Sequence, residues 1–224
     1  MADLERSSLA TAAADLIGHV GTSMSTNDVK DYYDKLSSSY DQILGNYYCG
    51  SQDAANALAE IVTDKAAFIL DCGCGTGQTG ELLHKRGYVN IHGVDMSEKS
   101  LQVARDKGAY VNLMAAKMGP EPLEGVKQDS YDAVVSSGCF IGVGHLDDSV
   151  LTEWTRIVKP GGHIVIVNRS THVATQLLEG TTFKQLIASE KLELIYKRSC
   201  DYYVPGNKKQ EWGSGFAYLL KVMP

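Results

Sequence analysis

The alternation of strand-like and helix-like segments from residue 66 onward constrains the fold more than any other feature of the sequence. Apolar, strand-like runs occupy 67–71, 90–95, 110–115, 131–136 and 163–167, and helix-like segments separate most of them. Strands that alternate with helices in this way form a parallel sheet covered on both faces. The runs at 192–204 and 216–222 have only a polar loop between them, which predicts an antiparallel hairpin. We therefore expect a doubly wound α/β fold with a mostly parallel, seven-stranded sheet.

The chain length predicts one domain with a short N-terminal extension. A chain of 224 residues is long enough for one well-buried core and too short for two of ordinary size. We expect residues 1–27 to form a helical cap with a flexible joint at 21–27, and residues 28–224 to form the domain. Within the domain, Ser97 and Asp147 are predicted helix N-caps, and the turn 159–162 is expected to end a helix before the fifth strand.

Charge and cysteine content narrow the classes of function. The 21 Lys and Arg against 27 Asp and Glu give a net charge of −6, which argues against nucleic acid as a partner. The N-terminus does not resemble a signal peptide, and no apolar run is long enough to cross a membrane. Five scattered cysteines predict reduced thiols in the cytoplasm, with the nucleus as an alternative. Because Cys72 and Cys74 lack a second pair at zinc-binding spacing, no metal site is expected.

A glycine-rich turn follows the first predicted strand and marks the candidate ligand site. The sequence Asp71-Cys-Gly73-Cys-Gly75-Thr-Gly77 places three alternating glycines between a strand and a helix. Glycines there let a ligand approach the backbone in the crevice where open α/β sheets bind ligands. Asp95 ends the next strand, and its carboxylate suits the two hydroxyls of a ribose. Together the turn and Asp95 indicate a ligand that contains a nucleoside.

Two such ligands remain open at this point. Gly75-Thr-Gly77-Gln-Thr-Gly80 also satisfies the loose dinucleotide pattern G-x-G-x-x-G, which would indicate NAD(P). Asp71 favours S-adenosylmethionine, because a negative charge before the loop attracts an ammonium and a sulfonium and repels a pyrophosphate. The turn 159–162, followed by the predicted terminal hairpin, also favours S-adenosylmethionine.

Four motifs together resemble those of the class I S-adenosylmethionine-dependent methyltransferases. They are the turn 71–77, Val94-Asp95-Met-Ser, Ser130-Tyr-Asp-Ala-Val and Lys159-Pro-Gly-Gly, and the resemblance covers about residues 28–170. The segments Tyr33-Asp34 to Tyr40-Asp41-Gln42 and Met118-Gly-Pro-Glu-Pro-Leu are similar to the Williams-Beuren syndrome region methyltransferase-like proteins. The class implies a Rossmann-like methyltransferase fold, S-adenosylmethionine as cofactor and S-adenosylhomocysteine as product.

The resemblance also implies cofactor contacts. The backbone of the three loop glycines would face the methionine part, Asp95 would hold the ribose, and Met96 would lie against adenine. Many members carry an aspartate after the third strand, where this chain has Ala115-Ala-Lys-Met118, so adenine recognition falls to backbone groups and Met118. Tyr33 and Tyr40 would close over the cofactor. The full predicted cofactor set is Tyr33, Tyr40, Asp71, Gly73, Gly75, Gly77, Asp95, Met96, Met118 and Ser137.

The acceptor is expected beyond the fourth and fifth strands, beside the methyl group of the cofactor. His145, on the glycine-containing loop after the fourth strand, is a candidate base, although methyl transfer needs one only when the nucleophile arrives protonated. Asn168 and Arg169 end the fifth strand and suit a polar or anionic substrate, while Trp212 is either a pocket lid or a core residue. The predicted substrate-lining residues are Cys139, Phe140, His145, Asn168, Arg169 and Trp212.

These features predict an S-adenosylmethionine-dependent methyltransferase that modifies an N, O or S atom of a small molecule. The absence of a recognisable second domain or basic face favours a small acceptor. Three alternatives stay open: a cofactor-binding protein that regulates a partner, a protein methyltransferase, and, more distantly, an NAD(P)-binding enzyme. The sequence gives no indication of the oligomeric state.

Overall fold

A sheet of seven strands runs through the part of the chain that the structure describes. The computed structural model describes residues 25–45, 47–203 and 213–224. The strands are β1 (Phe68–Cys72), β2 (Asn90–Asp95), β3 (Asn112–Ala115), β4 (Tyr131–Ser137), β5 (Val158–Arg169), β6 (Leu192–Asp201) and β7 (Ser214–Val222). The helices are α1 (Thr26–Leu36), α2 (Tyr40–Leu44), α3 (Gly50–Ile61), α4 (Gln78–Lys85), α5 (Glu98–Asp106), α6 (Val150–Ile157), α7 (His172–Leu178) and α8 (Thr181–Ala188).

The strand order β3-β2-β1-β4-β5-β7-β6 is that of a doubly wound fold. Strands β1 to β5 are parallel, and β7 pairs antiparallel with both β5 and β6. The predicted seven-stranded sheet and its antiparallel C-terminal pair are thereby confirmed. The order reverses between β1 and β4, and such a switch point is where open α/β sheets bind their ligands.

Uninterrupted apolar runs form the central strands, because both faces of the sheet are covered. Residues 164–167 of β5 are β-branched and fully buried, as expected for a strand with a helix on each side. Leu58 of α3 packs on one face of the sheet, and Trp154 of α6 packs on the other. This core fixes the carboxyl ends of β1 and β4, which carry the candidate site.

The region around α6 departs from the sequence prediction. The predicted N-cap at Ser97 is confirmed, since its hydroxyl accepts the N–H of Ser100 at 3.1 Å. The N-cap predicted at Asp147 is wrong, because α6 begins at Val150 and Asp147 accepts the N–H of Ser149 at 3.0 Å instead. The turn 159–162 does not end the helix either; α6 passes directly into β5, and these residues form an irregularity in its pairing with β4.

The N-terminal boundary also differs. Helix α1 begins at Thr26, inside the joint predicted at 21–27, while residues 1–24 lie outside the described part. A capping box explains the start, because the Ser25 hydroxyl accepts the N–H of Asp28 at 3.2 Å and the Asp28 carboxylate accepts the N–H of Ser25 at 3.1 Å. The sequence analysis did not predict α7 and α8, which lie between β5 and β6.

Two observations on the described residues concern cysteines and membranes. All five cysteines lie in the described part and none of them forms a disulfide. No helix of residues 25–45, 47–203 or 213–224 has the length and apolar character that crossing a bilayer requires.

Candidate functional site

The carboxyl ends of β1, β2 and β4 border an open cavity at the switch point. Its volume is about 1000 Å³ when the solvent-facing mouth is included. The predicted residues that line it are Tyr33, Tyr40, Gly73, Gly75, Asp95, Met96, Met118, Ser137, Cys139 and His145. The structure therefore brings most of the predicted cofactor residues together, and we call this space the larger cavity.

The glycine loop adopts left-handed backbone at alternate positions. The φ angle is +69° at Gly73, +52° at Gly75 and +86° at Gly77, values that other residues rarely adopt. A Cβ on Gly75 would meet nothing within 4 Å, so the loop is open to a ligand there. A Cβ on Gly73 would lie 2.3 Å from the sulfur of Cys139. Gly77 is absent from the cavity lining, and a Cβ there would lie 2.9 Å from Cβ of Ala104.

Asp95 ends β2 with its half-buried carboxylate on the wall of the larger cavity. One carboxylate oxygen accepts the N–H of Gly75 at 2.9 Å, and the other accepts the N–H of Ser97 at 2.8 Å. Burial raises the pKa of this carboxyl, and the backbone hydrogen bonds oppose the shift. Each oxygen keeps a lone pair for a further donor, so the two oxygens fit the adjacent hydroxyls of a ribose. With the open space at Gly75, the wall fits the nucleoside part of S-adenosylmethionine.

Asp71 lies behind the glycine loop and is absent from the cavity lining. It is only 1% exposed, and its carboxylate accepts the hydroxyl proton of Tyr110 at 2.6 Å. Burial raises the pKa of Asp71 to about 7, and the Tyr110 hydrogen bond opposes the rise. The Tyr110 oxygen also accepts the N–H of Gly80 at 3.1 Å, so this pair braces the start of α4. Direct contact between Asp71 and the cofactor stays a prediction.

Asp71→Asn is expected to change how stability depends on pH. The pKa of the carboxyl is about 7 in the folded chain against an ordinary value of 3.8, so the folded chain holds an extra proton between these values. The free energy of unfolding contributed by Asp71 therefore falls as the pH rises. The asparagine side chain of the variant does not titrate in this range. The stability of the variant relative to the wild type should therefore rise from about pH 4 to about pH 7. Urea denaturation across this range measures the difference, and a constant difference would contradict the expectation.

Two aspartates, each directly after a cavity-lining tyrosine, attach the N-terminal helices to the ligand loops. Asp34 accepts the hydroxyl proton of Ser97, the N-cap of α5, at 2.6 Å. Asp41 accepts the hydroxyl of Thr76 at 2.6 Å and the side-chain amide of Gln78 at 2.9 Å. The sequence analysis used the tyrosines of these pairs and missed the carboxylates, which hold residues 25–45 against the glycine loop.

Asp41→Ala is expected to weaken S-adenosylmethionine binding by about 1–2 kcal/mol, or roughly 5- to 30-fold. The change removes the acceptor for Thr76 and Gln78 and the ion pair with Lys107, whose Nζ lies 2.6 Å away. Because the Asp41 side chain is 37% exposed, the ion pair itself contributes little. Isothermal titration measures the affinity, with the exposed Asp31→Ala of α1 as the matched control. Equal affinity in both variants would contradict the expectation.

His145 and Tyr33 face each other on the wall of the larger cavity. Nε2 of His145 lies 3.5 Å from the Tyr33 hydroxyl oxygen, and Nδ1 is buried without a hydrogen-bond partner among the described residues. Burial lowers the pKa of His145 to about 4, so the imidazole is neutral at physiological pH and is only a weak base. Burial also raises the pKa of Cys139 to about 12, which leaves a protonated thiol rather than a nucleophilic thiolate.

A second space of about 380 Å³, which we call the smaller cavity, adjoins the first beside the end of β5. The two share Tyr33, Tyr40, Tyr48, Ser137 and Gly138 as lining residues. Arg169 lines the smaller cavity, and its side chain is 8% exposed. The predicted substrate-lining residues that reach either cavity are Cys139, His145 and Arg169.

Two other predicted substrate residues lie in the core instead. Asn168 is 1% exposed; its Oδ1 accepts the N–H of Phe140 at 3.2 Å and its Nδ2 donates to the Phe140 carbonyl at 2.5 Å. Phe140 is fully buried and packs edge-on against Trp154, with ring centroids 6.0 Å apart. Asn168 therefore fixes the loop after β4, and neither residue lines a cavity. Trp212 lies outside the described residues.

The sequence analysis missed three tyrosines of the smaller cavity. Tyr48 precedes α3, and its hydroxyl oxygen lies 2.5 Å from that of Ser137. Tyr202 and Tyr203 follow β6, and the Tyr202 ring meets the Tyr48 ring edge-on with centroids 5.0 Å apart. About 150 residues separate the two ends of this cluster, so no local pattern could reveal it. The only sequence signal is the count of 12 tyrosines.

A comparison with protein families agrees with the motifs. Residues 69–162 match the family model described as a methyltransferase domain. This stretch holds the glycine loop, Asp95 and the strands from β1 into β5. These residues therefore resemble a methyltransferase domain, as the resemblance of the motifs implied.

Named relatives match about two thirds of the chain. Methyltransferase-like protein 27 from Homo sapiens is 30% identical over 151 residues, which cover 66% of this chain and 60% of that protein. Ubiquinone biosynthesis O-methyltransferase from Alkalilimnicola ehrlichii is 29% identical over 161 residues, or 69% of this chain and 62% of that protein. The matched chain thus spans less than two thirds of the length of these relatives.

Solved structures share the fold at low identity. The 1,6-didemethyltoxoflavin-N1-methyltransferase of Burkholderia thailandensis, with bound 1,6-didemethyltoxoflavin and S-adenosylhomocysteine, aligns with a TM-score of 0.62 at 15% identity and 88% coverage of each chain. The cyclase SpnF aligns with a TM-score of 0.65 at 14% identity, covering 91% of this chain and 98% of its own. These likenesses confirm the fold, and a methyltransferase and a cyclase on one fold show that function depends on the site.

Proposed function

We propose that this chain is an S-adenosylmethionine-dependent methyltransferase that acts on a small molecule. The observation that carries the proposal is the pairing of Asp95 with Gly75, which puts two acceptor oxygens beside open backbone at the switch point of a methyltransferase domain. The smaller cavity adjoins this wall, which supports a place for a small acceptor beside the cofactor.

The residues of the larger cavity would bind and orient the cofactor, which supplies an electrophilic methyl group on its sulfonium. Asp95 would hold the ribose, and Met96 and Met118 would pack against the adenine. The backbone of Gly73 and Gly75 would face the methionine part. Aligning two reactants can contribute about 7–11 kcal/mol, so positioning is the main task proposed for these residues.

Proton transfer has a small part in the proposed reaction. His145 is a weak base because of its low pKa, and the burial of Tyr33 raises the pKa of its phenol well above the ordinary value. A site with so little base strength suits an acceptor whose nucleophilic atom already carries a free lone pair at neutral pH. The rate should then follow the ionisation of the acceptor rather than that of His145.

The proposal also includes a cellular compartment and a class of methyl acceptor. Five cysteines without a disulfide support a reducing compartment, and we propose the cytoplasm. The O-methyltransferase named among the relatives and the position of the smaller cavity beside the larger one support a small-molecule acceptor.

Two measurements test this function. Isothermal titration of the full chain with S-adenosylmethionine, S-adenosylhomocysteine and NAD should show binding of the first two, and preference for NAD would overturn the proposal. Labelled-methyl transfer to phenols, carboxylates, amines and thiols should then give a methylated small product. Methyl transfer only to proteins of a cell extract would indicate that the acceptor is a protein. Binding of the cofactor without any methyl transfer would indicate a regulatory role.

A further inference from the structure

The smaller cavity contains a buried cation that has no counter-charge among residues 25–45, 47–203 and 213–224. Arg169 is 8% exposed, and its Nε is buried without a hydrogen-bond partner among the described residues. The salt bridges of those residues all involve other groups. The titratable groups that face Arg169 are the phenols of Tyr33, Tyr202 and Tyr203 and the imidazole of His145, and none of them is a carboxylate.

This arrangement is costly for the protein alone. A guanidinium stays protonated in proteins, and burying a charge without an anion is strongly unfavourable. Tyr203 compensates in part, because its hydroxyl accepts a hydrogen bond from the guanidinium and its ring centroid lies 5.9 Å from the guanidinium carbon. A buried charge without structural benefit is typical of a residue retained for binding at the expense of stability.

We propose that Arg169 anchors the methyl acceptor and that this acceptor is an aromatic carboxylate. The proposal rests on the methyltransferase function proposed above. The free Nε–H and an adjacent Nη–H form two parallel donors that match a carboxylate. With its carboxylate bound by Arg169 in the smaller cavity, the rest of the acceptor extends toward the walls that both cavities share.

The walls of the smaller cavity agree with an aromatic ligand. Tyr48, Tyr202 and Tyr203 form a cluster of rings with centroids 4.9 to 5.9 Å apart, in which Tyr202 meets both others edge-to-face and Tyr48 and Tyr203 are tilted to each other. Ring edges and faces of this kind favour a planar ring.

The probes are benzoate, its neutral isostere benzamide, and phenyl phosphate, each titrated into protein saturated with S-adenosylhomocysteine. We expect benzoate to bind about tenfold tighter than benzamide, and Arg169→Met to reduce benzoate affinity about tenfold with unchanged S-adenosylhomocysteine affinity. The matched control is Arg198→Met, a half-exposed arginine of β6 that pairs with Glu60 at 3.0 Å, and it should bind benzoate as the wild type does. Equal binding of benzoate and benzamide, tighter binding of phenyl phosphate, or full benzoate affinity in Arg169→Met would overturn the proposal.

Thermal unfolding gives a second readout that a structural role would not reproduce. Without ligand, Arg169→Met should unfold at the temperature of the wild type or above it, because an unpaired buried charge is removed. Benzoate should raise the Tm of the wild type and not that of the variant. A large drop in the Tm of the unliganded variant would identify Arg169 as structural and overturn the proposal. Failure of S-adenosylhomocysteine to bind would instead reject the methyltransferase function, and the benzoate and benzamide comparison in the free protein would still decide the role of Arg169.

Discussion

Gly73→Ala is expected to lower the free energy of unfolding by about 2–5 kcal/mol. Two effects add. The φ angle of +69° costs an L-residue about 1–2 kcal/mol, and a Cβ placed 2.3 Å from the Cys139 sulfur forces repacking that costs about 1–3 kcal/mol. Urea denaturation of the purified variant and the wild type measures the difference.

Gly75→Ala is the matched control for this prediction. Its φ of +52° carries a similar backbone cost, but its Cβ meets no atom within 4 Å, so only about 1–2 kcal/mol should be lost. The new methyl group would enter the larger cavity, so this variant should instead lose S-adenosylmethionine affinity. Adding Cys139→Ala to Gly73→Ala should recover the repacking part, as a double-mutant cycle can show. The prediction fails if the two glycine variants are equally stable.

Asp95→Ala is expected to weaken S-adenosylmethionine binding by about 1.5–3 kcal/mol, or roughly 10- to 150-fold. The half-buried carboxylate would accept charge-assisted hydrogen bonds from the ribose, and alanine offers no acceptor. Isothermal titration with S-adenosylmethionine and S-adenosylhomocysteine should show the same loss, because both carry the ribose. Unchanged affinity would place the ribose elsewhere.

The control for Asp95 has to account for its structural contacts. Its carboxylate also accepts the N–H groups of Gly75 and Ser97, so the substitution loosens the glycine loop as well. Asp106→Ala removes an exposed carboxylate from the last turn of α5 and should leave the affinity unchanged. Thermal unfolding of the unliganded proteins then separates loop stability from ligand contact.

The wall of the larger cavity was predictable because its signals are local. Gly75 follows the end of β1 and Asp95 ends β2, and the ends of adjacent parallel strands meet at one edge of the sheet. The start of α6 was not predictable in the same way, since Asp147 and Ser149 are both residue types that favour the N-cap and the sequence does not distinguish between them.

The acceptor side shows where sequence reasoning stops. Asn168 and Arg169 were both predicted to meet substrate, but neighbouring residues of a strand point to opposite faces. Arg169 faces the smaller cavity, and Asn168 faces the core and binds the backbone of Phe140. Strand ends alone do not say which of two neighbours faces the ligand. The tyrosine cluster beside Arg169 comes from segments far apart in the chain, so only tertiary structure brings it together.

The aspartates of the N-terminal helices couple cofactor binding thermodynamically to the attachment of these helices. Asp34 and Asp41 bind the same loops that would bind the cofactor, and such coupling is reciprocal. If detachment of residues 25–45 lowers the cofactor affinity by a given factor, a bound cofactor must lower the population of the detached state by the same factor. Protease cleavage within this segment would then report occupancy of the larger cavity without any knowledge of the acceptor.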